Sequence, residues 1–242
     1  MHPTICTIGP FTIYSYGLLL AIAFLVSSSL AAKEAGRQGI AKDLIINLSF
    51  LVLICGIAGA RVFYVIENLS YYLKNPIEVI MLSRGGLSVF GGLISGVIIA
   101  VIYLKRKKQS VYKVLDIIVP FVALAQSIGR IGCLLNGCCY GRVSEFGIYF
   151  KTHDEFLIPT QLYSSLMLII MFVALRFLQE RKHKEGQVLF SYLLFYSFGR
   201  FFIEFWRADN ARVFMNLTLF QLLSIVIFFI SSLKLGIIYK NR

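Results

Sequence analysis

Apolar runs about as long as a bilayer is thick recur along this chain from one end to the other. Among them are IYSYGLLLAIAFLVSSSLAA, LIINLSFLVLICGIAGARVF, GLSVFGGLISGVIIAVIYL, VLDIIVPFVALAQSIG, TQLYSSLMLIIMFVALRFL, VLFSYLLFYSFGRFFIEF and NLTLFQLLSIVIFFISSLKLGIIY. Each approaches the roughly 20 residues a helix needs to cross a ~30 Å hydrocarbon core, so the sequence predicts about seven transmembrane helices. Lipid leaves backbone polar groups without partners, and helices satisfy them internally. The expectation is an all-α, polytopic membrane protein. With 58% hydrophobic and 15% charged residues over 242 positions, the composition agrees. The first run lacks a basic leader and a small-residue cleavage site, so it reads as a retained helix. No domain boundary, low-complexity tract or internal repeat interrupts the chain, and residues 1–242 read as a single integral-membrane domain.

Charge sets the expected orientation. The net charge is +12, and the basic residues cluster. Lys33, Arg37 and Lys42 follow the first run, Lys105 to Lys108 and Lys113 the third, and Arg176, Arg181, Lys182 and Lys184 the fifth. Lys234, Lys240 and Arg242 follow the last. The intervening segments are sparser, with Lys74 and Arg84 in one and Arg142 and Lys151 in another. The positive-inside rule then predicts an outside N-terminus and a cytoplasmic C-terminus. Topology and anionic lipid account for the basic loops, and no nucleic-acid partner is expected.

Three arginines interrupt the apolar runs, each after a small residue: Arg61 in GAR, Arg130 in IGR and Arg200 in FGR. Burying one costs roughly 2.5–3.5 kcal/mol on insertion scales. A lone arginine can snorkel to the head groups. Three on the side predicted to face outward suggest an anion site, because guanidinium forks bind phosphate and glycine permits close approach. Glu204 lies four residues after Arg200 and three before Arg207, so a continuing helix would set the three on one face. Glu204 then either neutralises Arg200 or handles a proton. Tyr16 and Tyr163 add hydroxyls near predicted outer helix ends. Glycines in SRGGLSVFGGLISG predict close helix contact, with a loop dipping into the membrane as the alternative. EFGIYF reads as a short strand or an interfacial segment.

Five cysteines are present: Cys6, Cys55, Cys133, Cys138 and Cys139. The C-x4-C-C spacing is not a zinc pattern, and no histidine lies close in sequence. They are expected to pack as small apolar residues, and a disulfide on the outer side is the alternative. No nucleotide, haem or metal motif appears, so no cofactor and no metal site are expected.

These motifs resemble the prolipoprotein diacylglyceryl transferase family almost end to end. SYG at Ser15–Gly17, GARVFY at Gly59–Tyr64 and GGLSVFGGLISG at Gly85–Gly96 match in order. So do GRIGCLLNGCCYGR at Gly129–Arg142, PTQLY at Pro159–Tyr163 and GRFFIEFWR at Gly199–Arg207. The resemblance implies transfer of diacylglyceryl from phosphatidylglycerol to the lipobox cysteine of prolipoproteins, giving a thioether and glycerol 1-phosphate. It implies catalytic roles for Arg130, Arg200 and Glu204. It implies phosphatidylglycerol contacts from Arg130, Tyr16, Arg61, Asn136, Gly141 and Arg207, in a bacterial plasma membrane with the site facing the outer leaflet. The chain departs from the family pattern at Phe90, where histidine is usual, at Cys133 (asparagine), and at Cys138 and Ser164 (both glutamate). It is therefore either a cysteine-rich subgroup or a paralogue with a changed acceptor.

A general base is hard to name among the histidines. His183 is expected in the cytoplasm, His2 is terminal and His153 sits in a loop, which leaves Glu204 unless an ion pair locks it. A phospholipid transporter or flippase would share the arginines but more often shows repeats. A rhomboid-like hydrolase is disfavoured by the context of Ser88 and the lack of an intramembrane histidine. A metal-dependent lipid transferase would need clustered aspartates, and Asp116 stands nearly alone.

Overall fold

The computed structural model describes residues 3–8, 11–81 and 85–240; His2, Arg84 and Arg242 lie outside them. The chain forms two compact units, one of Met1–Ala31 with Leu115–Arg242 and the other of Ala32–Val114. In chain order the elements are β1 (Thr4–Ile8), β2 (Phe11–Tyr14), α1 (Ser15–Arg37), α2 (Lys42–Glu67) and α3 (Leu69–Tyr72). A 3-10 turn at Pro76–Ile80 precedes α4 (Val89–Arg106) and α5 (Val111–Asn136). There follow β3 (Val143–Phe150), β4 (Glu155–Leu157), α6 (Thr160–Glu180), α7 (Gln187–Glu204), β5 (Arg212–Phe214), β6 (Leu217–Thr218) and α8 (Leu219–Lys240). The strands pair antiparallel as β1–β2, β3–β4 and β5–β6. EFGIYF is thus part of a strand.

Among the described residues, six helices are long and apolar enough to cross a membrane: α1, α2, α4, α5, α6 and α8. The seventh expected span exists as α7, 18 residues long, but it is not in that set. Ser191, Ser197, Gly199, Arg200 and Glu204 dilute its apolar character. Large apolar side chains such as Leu25, Ile54, Val97, Ile170 and Phe229 are exposed. In water such a surface would drive aggregation; facing lipid it costs nothing.

The larger unit is built on α5. Val119 and Ala123 of α5 pack against Leu168, Met171 and Leu175 of α6 and Val188 and Tyr192 of α7. Polar side chains join the same helices. Ser165 donates to the Ser127 carbonyl at 3.0 Å, and Tyr192 donates to Gln126 at 2.9 Å. Pro120 lies inside α5 and lacks the N–H that would serve the Asp116 carbonyl. Gln179 of α6 replaces it, donating to the carbonyls of Asp116 at 2.9 Å and Ile117 at 3.2 Å. The Asp116 carboxylate accepts from the backbone N–H of Gly186 (2.6 Å) and Leu189 (2.7 Å). It thereby caps the first turn of α7 from a neighbouring helix, where exposed N–H groups and the helix dipole favour an anion. Gln187 donates to Tyr239 of α8 at 2.8 Å. One end of the unit is thus tied together by polar contacts, and the turn after α5 is left at the other.

In the smaller unit α2 and α4 cross closely along a glycine stripe. A methyl group added at Gly91 would meet the Phe63 Cβ at 2.5 Å and the Gly59 carbonyl at 2.7 Å; one at Gly59 would overlap the Ser95 side chain. The glycines expected to permit helix contact do so, and Val89–Arg106 is a continuous helix rather than a dipping loop.

Candidate active site

Arg61, expected at a lipid head group, does something else. Its Nε donates to the Val79 carbonyl at 2.8 Å. Nη1 serves Gly85 (2.6 Å) and Gly86 (2.9 Å), and Nη2 serves Glu78 (2.5 Å) and Met81 (3.1 Å). A guanidinium has five N–H groups, and all are taken up by backbone carbonyls. Tyr72 and Tyr64 lie against its face, 5.3 and 6.0 Å from ring centre to Cζ. The carbonyls include those at the end of the 3-10 turn, which carry partial negative charge and no intrahelical donor. In this structure Arg61 is a clamp on its own unit, with no N–H left for phosphate.

Arg200 and Arg130 lie in the larger unit and differ from Arg61. Arg200, 9% exposed, pairs through Nη2 with Glu204 Oε2 at 2.8 Å and stacks on Phe220 at 5.0 Å. Its Nη1 is buried with no hydrogen-bond partner among the described residues. Arg130, on the last turns of α5, is half-buried and forms no ion pair or side-chain hydrogen bond among the described residues. The positive charges of Arg207 and Arg130 both act on Arg200. Cations held in reach of one another, with N–H groups unfilled, make a receptor for an anion.

Glu204 is held by hydrogen bonds on one oxygen and by an ion pair on the other. Oε1 accepts from Asn210 at 2.5 Å and Thr218 at 2.9 Å, while Oε2 faces Arg200. It positions Arg200, and its Oε2 takes no hydrogen bond among the described residues. Helix α7 ends at Glu204, so Arg207 does not share its face as the spacing suggested. Arg207 instead pairs with Asp209 at 2.5 Å and forms a lone antiparallel bridge with Gly141.

The turn after α5 joins these pieces. Asn136 is the last helical residue, and Gly137 (φ 74°) and Cys139 (φ 63°) take left-handed conformations. Neighbouring groups hold the turn. Gln161 donates to the Cys138 carbonyl and Thr160 to the Cys139 carbonyl, both at 2.7 Å, and His153 Nε2 meets the Gly137 carbonyl at 3.0 Å. Gly141 donates to Ile158 at 2.9 Å. A methyl group there would meet Ile158 and the Trp206 carbonyl at 2.7–2.8 Å, so Gly141 is where three segments touch. Asn136 reaches the Cys138 thiol.

The turn folds Cys138 and Cys139 back toward Cys133, and the three sulfurs lie within 4.8 Å of one another as free thiols. Spacing alone did not reveal this cluster, because its closure depends on two left-handed residues. Hydrogen bonds from the Cys133 and Cys138 thiols, with the fields of Arg207 and Arg130, push the Cys139 thiol well below the ordinary cysteine value despite its burial. Tyr16, at the start of α1, senses all three thiols and Arg130. Its ring lies 3.2 Å from where a methyl on Gly132 would sit.

The whole sequence matches one family. A family model described as prolipoprotein diacylglyceryl transferase covers residues 3–237. A phosphatidylglycerol–prolipoprotein diacylglyceryl transferase of Limosilactobacillus reuteri is 34% identical over 248 residues, covering 97% of this chain and 90% of the relative. Namesakes from Staphylococcus carnosus (36% over 243 residues; 95% and 88%) and Streptococcus uberis (36% over 249 residues; 99% and 94%) are similar. Matched over residues 3–237 and by relatives covered nearly end to end, this chain belongs to the prolipoprotein diacylglyceryl transferase family.

Proposed function

We propose that this chain transfers the diacylglyceryl group of phosphatidylglycerol to the lipobox cysteine of prolipoproteins, forming a thioether and releasing glycerol 1-phosphate. The observation that carries the reading is the buried Arg200 Nη1, which has no hydrogen-bond partner among the described residues and feels the charge of Arg130. A buried N–H without an acceptor is costly, and a phosphate diester anion is what a forked, membrane-embedded cation receives best. The names of the relatives supply the substrates.

The chemistry asks for two things, a sulfur nucleophile and a stabilised leaving group. The acceptor sulfur attacks the glyceryl carbon, and the carbon–oxygen bond to phosphorus breaks with its electron pair on the phosphate. Charge grows on that phosphate, and Arg200, held by Glu204, and Arg130 stabilise it. Glu204 keeps Arg200 aimed. Tyr16, Asn136 and Arg207 line the lipid site, and Gly141 keeps the chain segments close beneath it.

The basic clusters support an outside N-terminus, a cytoplasmic C-terminus and a site at the outer leaflet of a bacterial plasma membrane. Opposite sides require an odd number of crossings, so α7 crosses as the seventh helix despite its polar residues. The family model spans both compact units, in keeping with one transferase domain. Reporter fusions after Arg106 and Lys182 are expected in the cytoplasm and one near His153 outside.

The direct test gives purified protein phosphatidylglycerol and a lipobox peptide. A peptide mass gain of one diacylglyceryl unit is expected, lost when its cysteine is replaced by serine. Movement of lipid across vesicles with no peptide modification would replace this reading with a transporter.

A further inference from the structure

We propose that Cys133, Cys138 and Cys139 together bind one zinc-class d10 metal ion, and that its open fourth position takes the acceptor thiol as a thiolate. The proposal rests on the transferase reading above and says how its nucleophile is made.

Geometry comes first. Zinc–sulfur bonds of about 2.3 Å place tetrahedral thiolates roughly 3.8 Å apart. The three sulfurs already lie within 4.8 Å of one another, so side-chain rotation closes the difference. Cys133 stands on the last turn of α5, and Cys138 and Cys139 stand on a turn fixed by Thr160, Gln161 and His153. Ligands held by such neighbours make ordered sites. All three are free thiols, and Cys139 sits in a left-handed conformation that a non-glycine residue adopts only when its surroundings enforce it.

Charge comes second. Three thiolates and a divalent ion sum to −1, and a fourth thiolate makes −2. Arg207, whose backbone bridges Gly141 two residues after Cys139, brings a charge of the opposite sign to this side of the turn. Third is the missing base. Glu204 is committed to Asn210 and Thr218 through Oε1 and to Arg200 through charge, and His153 Nε2 is taken by a carbonyl. A coordinated thiol needs no side-chain base, because the metal displaces its proton. Three protein ligands with a fourth position open to substrate is the arrangement of catalytic rather than structural zinc.

The step balances without a redox partner. The three protein thiols lose their protons when the metal binds, and the acceptor thiol loses its own on coordination. The acceptor sulfur forms a bond to the glyceryl carbon as the carbon–phosphate oxygen bond breaks. The electron pair leaves on glycerol 1-phosphate, the neutral thioether departs and the metal keeps its charge.

The test uses the full chain in detergent, loaded with Zn2+ or Co2+ and freed of excess metal. One equivalent per chain is expected. The cobalt form should show thiolate-to-metal charge-transfer absorption, and the metal should protect the three thiols from alkylation. Adding a lipobox peptide should shift the cobalt ligand-field bands, and the serine peptide should not. Cys133→Ser, Cys138→Ser and Cys139→Ser should each lose the bound equivalent, while Cys6→Ser and Cys55→Ser retain it. Thiols alkylated freely in excess Zn2+, or a disulfide within the cluster of active protein, would overturn the site. Wild-type lipidation by chelator-stripped protein would overturn the thiolate role while leaving the transferase reading intact. Metal binding with thiol-dependent band shifts but no lipidation would support the site and overturn that reading.

Discussion

Arg61 and Arg200 begin as near twins. Each follows a small residue in an apolar helix, each is buried, and each lies against aromatic rings. They end as opposites. Arg61 is saturated, its five N–H groups on five backbone carbonyls. Arg200 is satisfied on one side by Glu204 and left open on the other. A buried cation that has filled its own coordination holds a fold together. One that has not is waiting for an anion.

The sharpest way to break that contrast is to remove the open cations. Arg200→Ala and Arg130→Ala should each lower lipidation per folded molecule by about 10²–10³-fold, the usual loss when a preorganised charge partner of the transition state is removed. Arg130→Lys keeps the charge and loses the fork, so it should recover only part of that loss. Near wild-type turnover in Arg130→Ala would reduce that residue to an anchor. Arg61→Ala should reverse the pattern. Stability should fall by at least about 3 kcal/mol, since charged hydrogen bonds are worth roughly 1.5–3 kcal/mol each, with turnover per folded molecule nearly kept. Thermal unfolding in detergent and lipidation measured on the same sample separate the two quantities.

Smaller changes sharpen the comparison. Glu204→Ala should be more damaging than Glu204→Gln, because glutamine keeps an acceptor for Thr218 and Asn210. Equal losses in the two variants would restore a proton-transfer role. Gly141→Ala should destabilise by about 1–3 kcal/mol through overpacking against Ile158 and Trp206. Gly17→Ala should do least. Nothing lies within 4 Å of the added methyl, and helix propensity should return roughly 0.5–1 kcal/mol. A stable Gly17→Ala protein with poor lipidation would mark that open space as lipid contact.

The helices were legible because their apolar runs match the bilayer, and the arginines of the proposed anion site stood out because arginine in such a run is conspicuous. The clamp was not legible. Its acceptors are main-chain carbonyls of an irregular segment, which carry no side-chain signature. Arg207 misled because a periodicity argument assumes that the helix continues, and α7 stops at Glu204. The thiol cluster was hidden for a related reason. Spacing rules assume ordinary backbone, and Gly137 and Cys139 turn the chain the other way. Asp116 looked isolated because its partners are distant in sequence.

That distance has a consequence for synthesis. The carboxylate of Asp116 waits for Gly186 and Leu189, 70 and 73 residues further on. Glu204 by contrast finds its partners within 14 residues. At about 5–20 residues per second a ribosome needs roughly 4–14 s to supply the N–H donors. During that interval α5 carries an unsatisfied acid near its end, and α6 emerges before the helix that neutralises it. The segment from α5 through the first turn of α7 therefore becomes settled in the bilayer as one piece, and a chain cut between Gln179 and Gly186 would leave the insertion machinery holding a helix with a charge it has no means to bury.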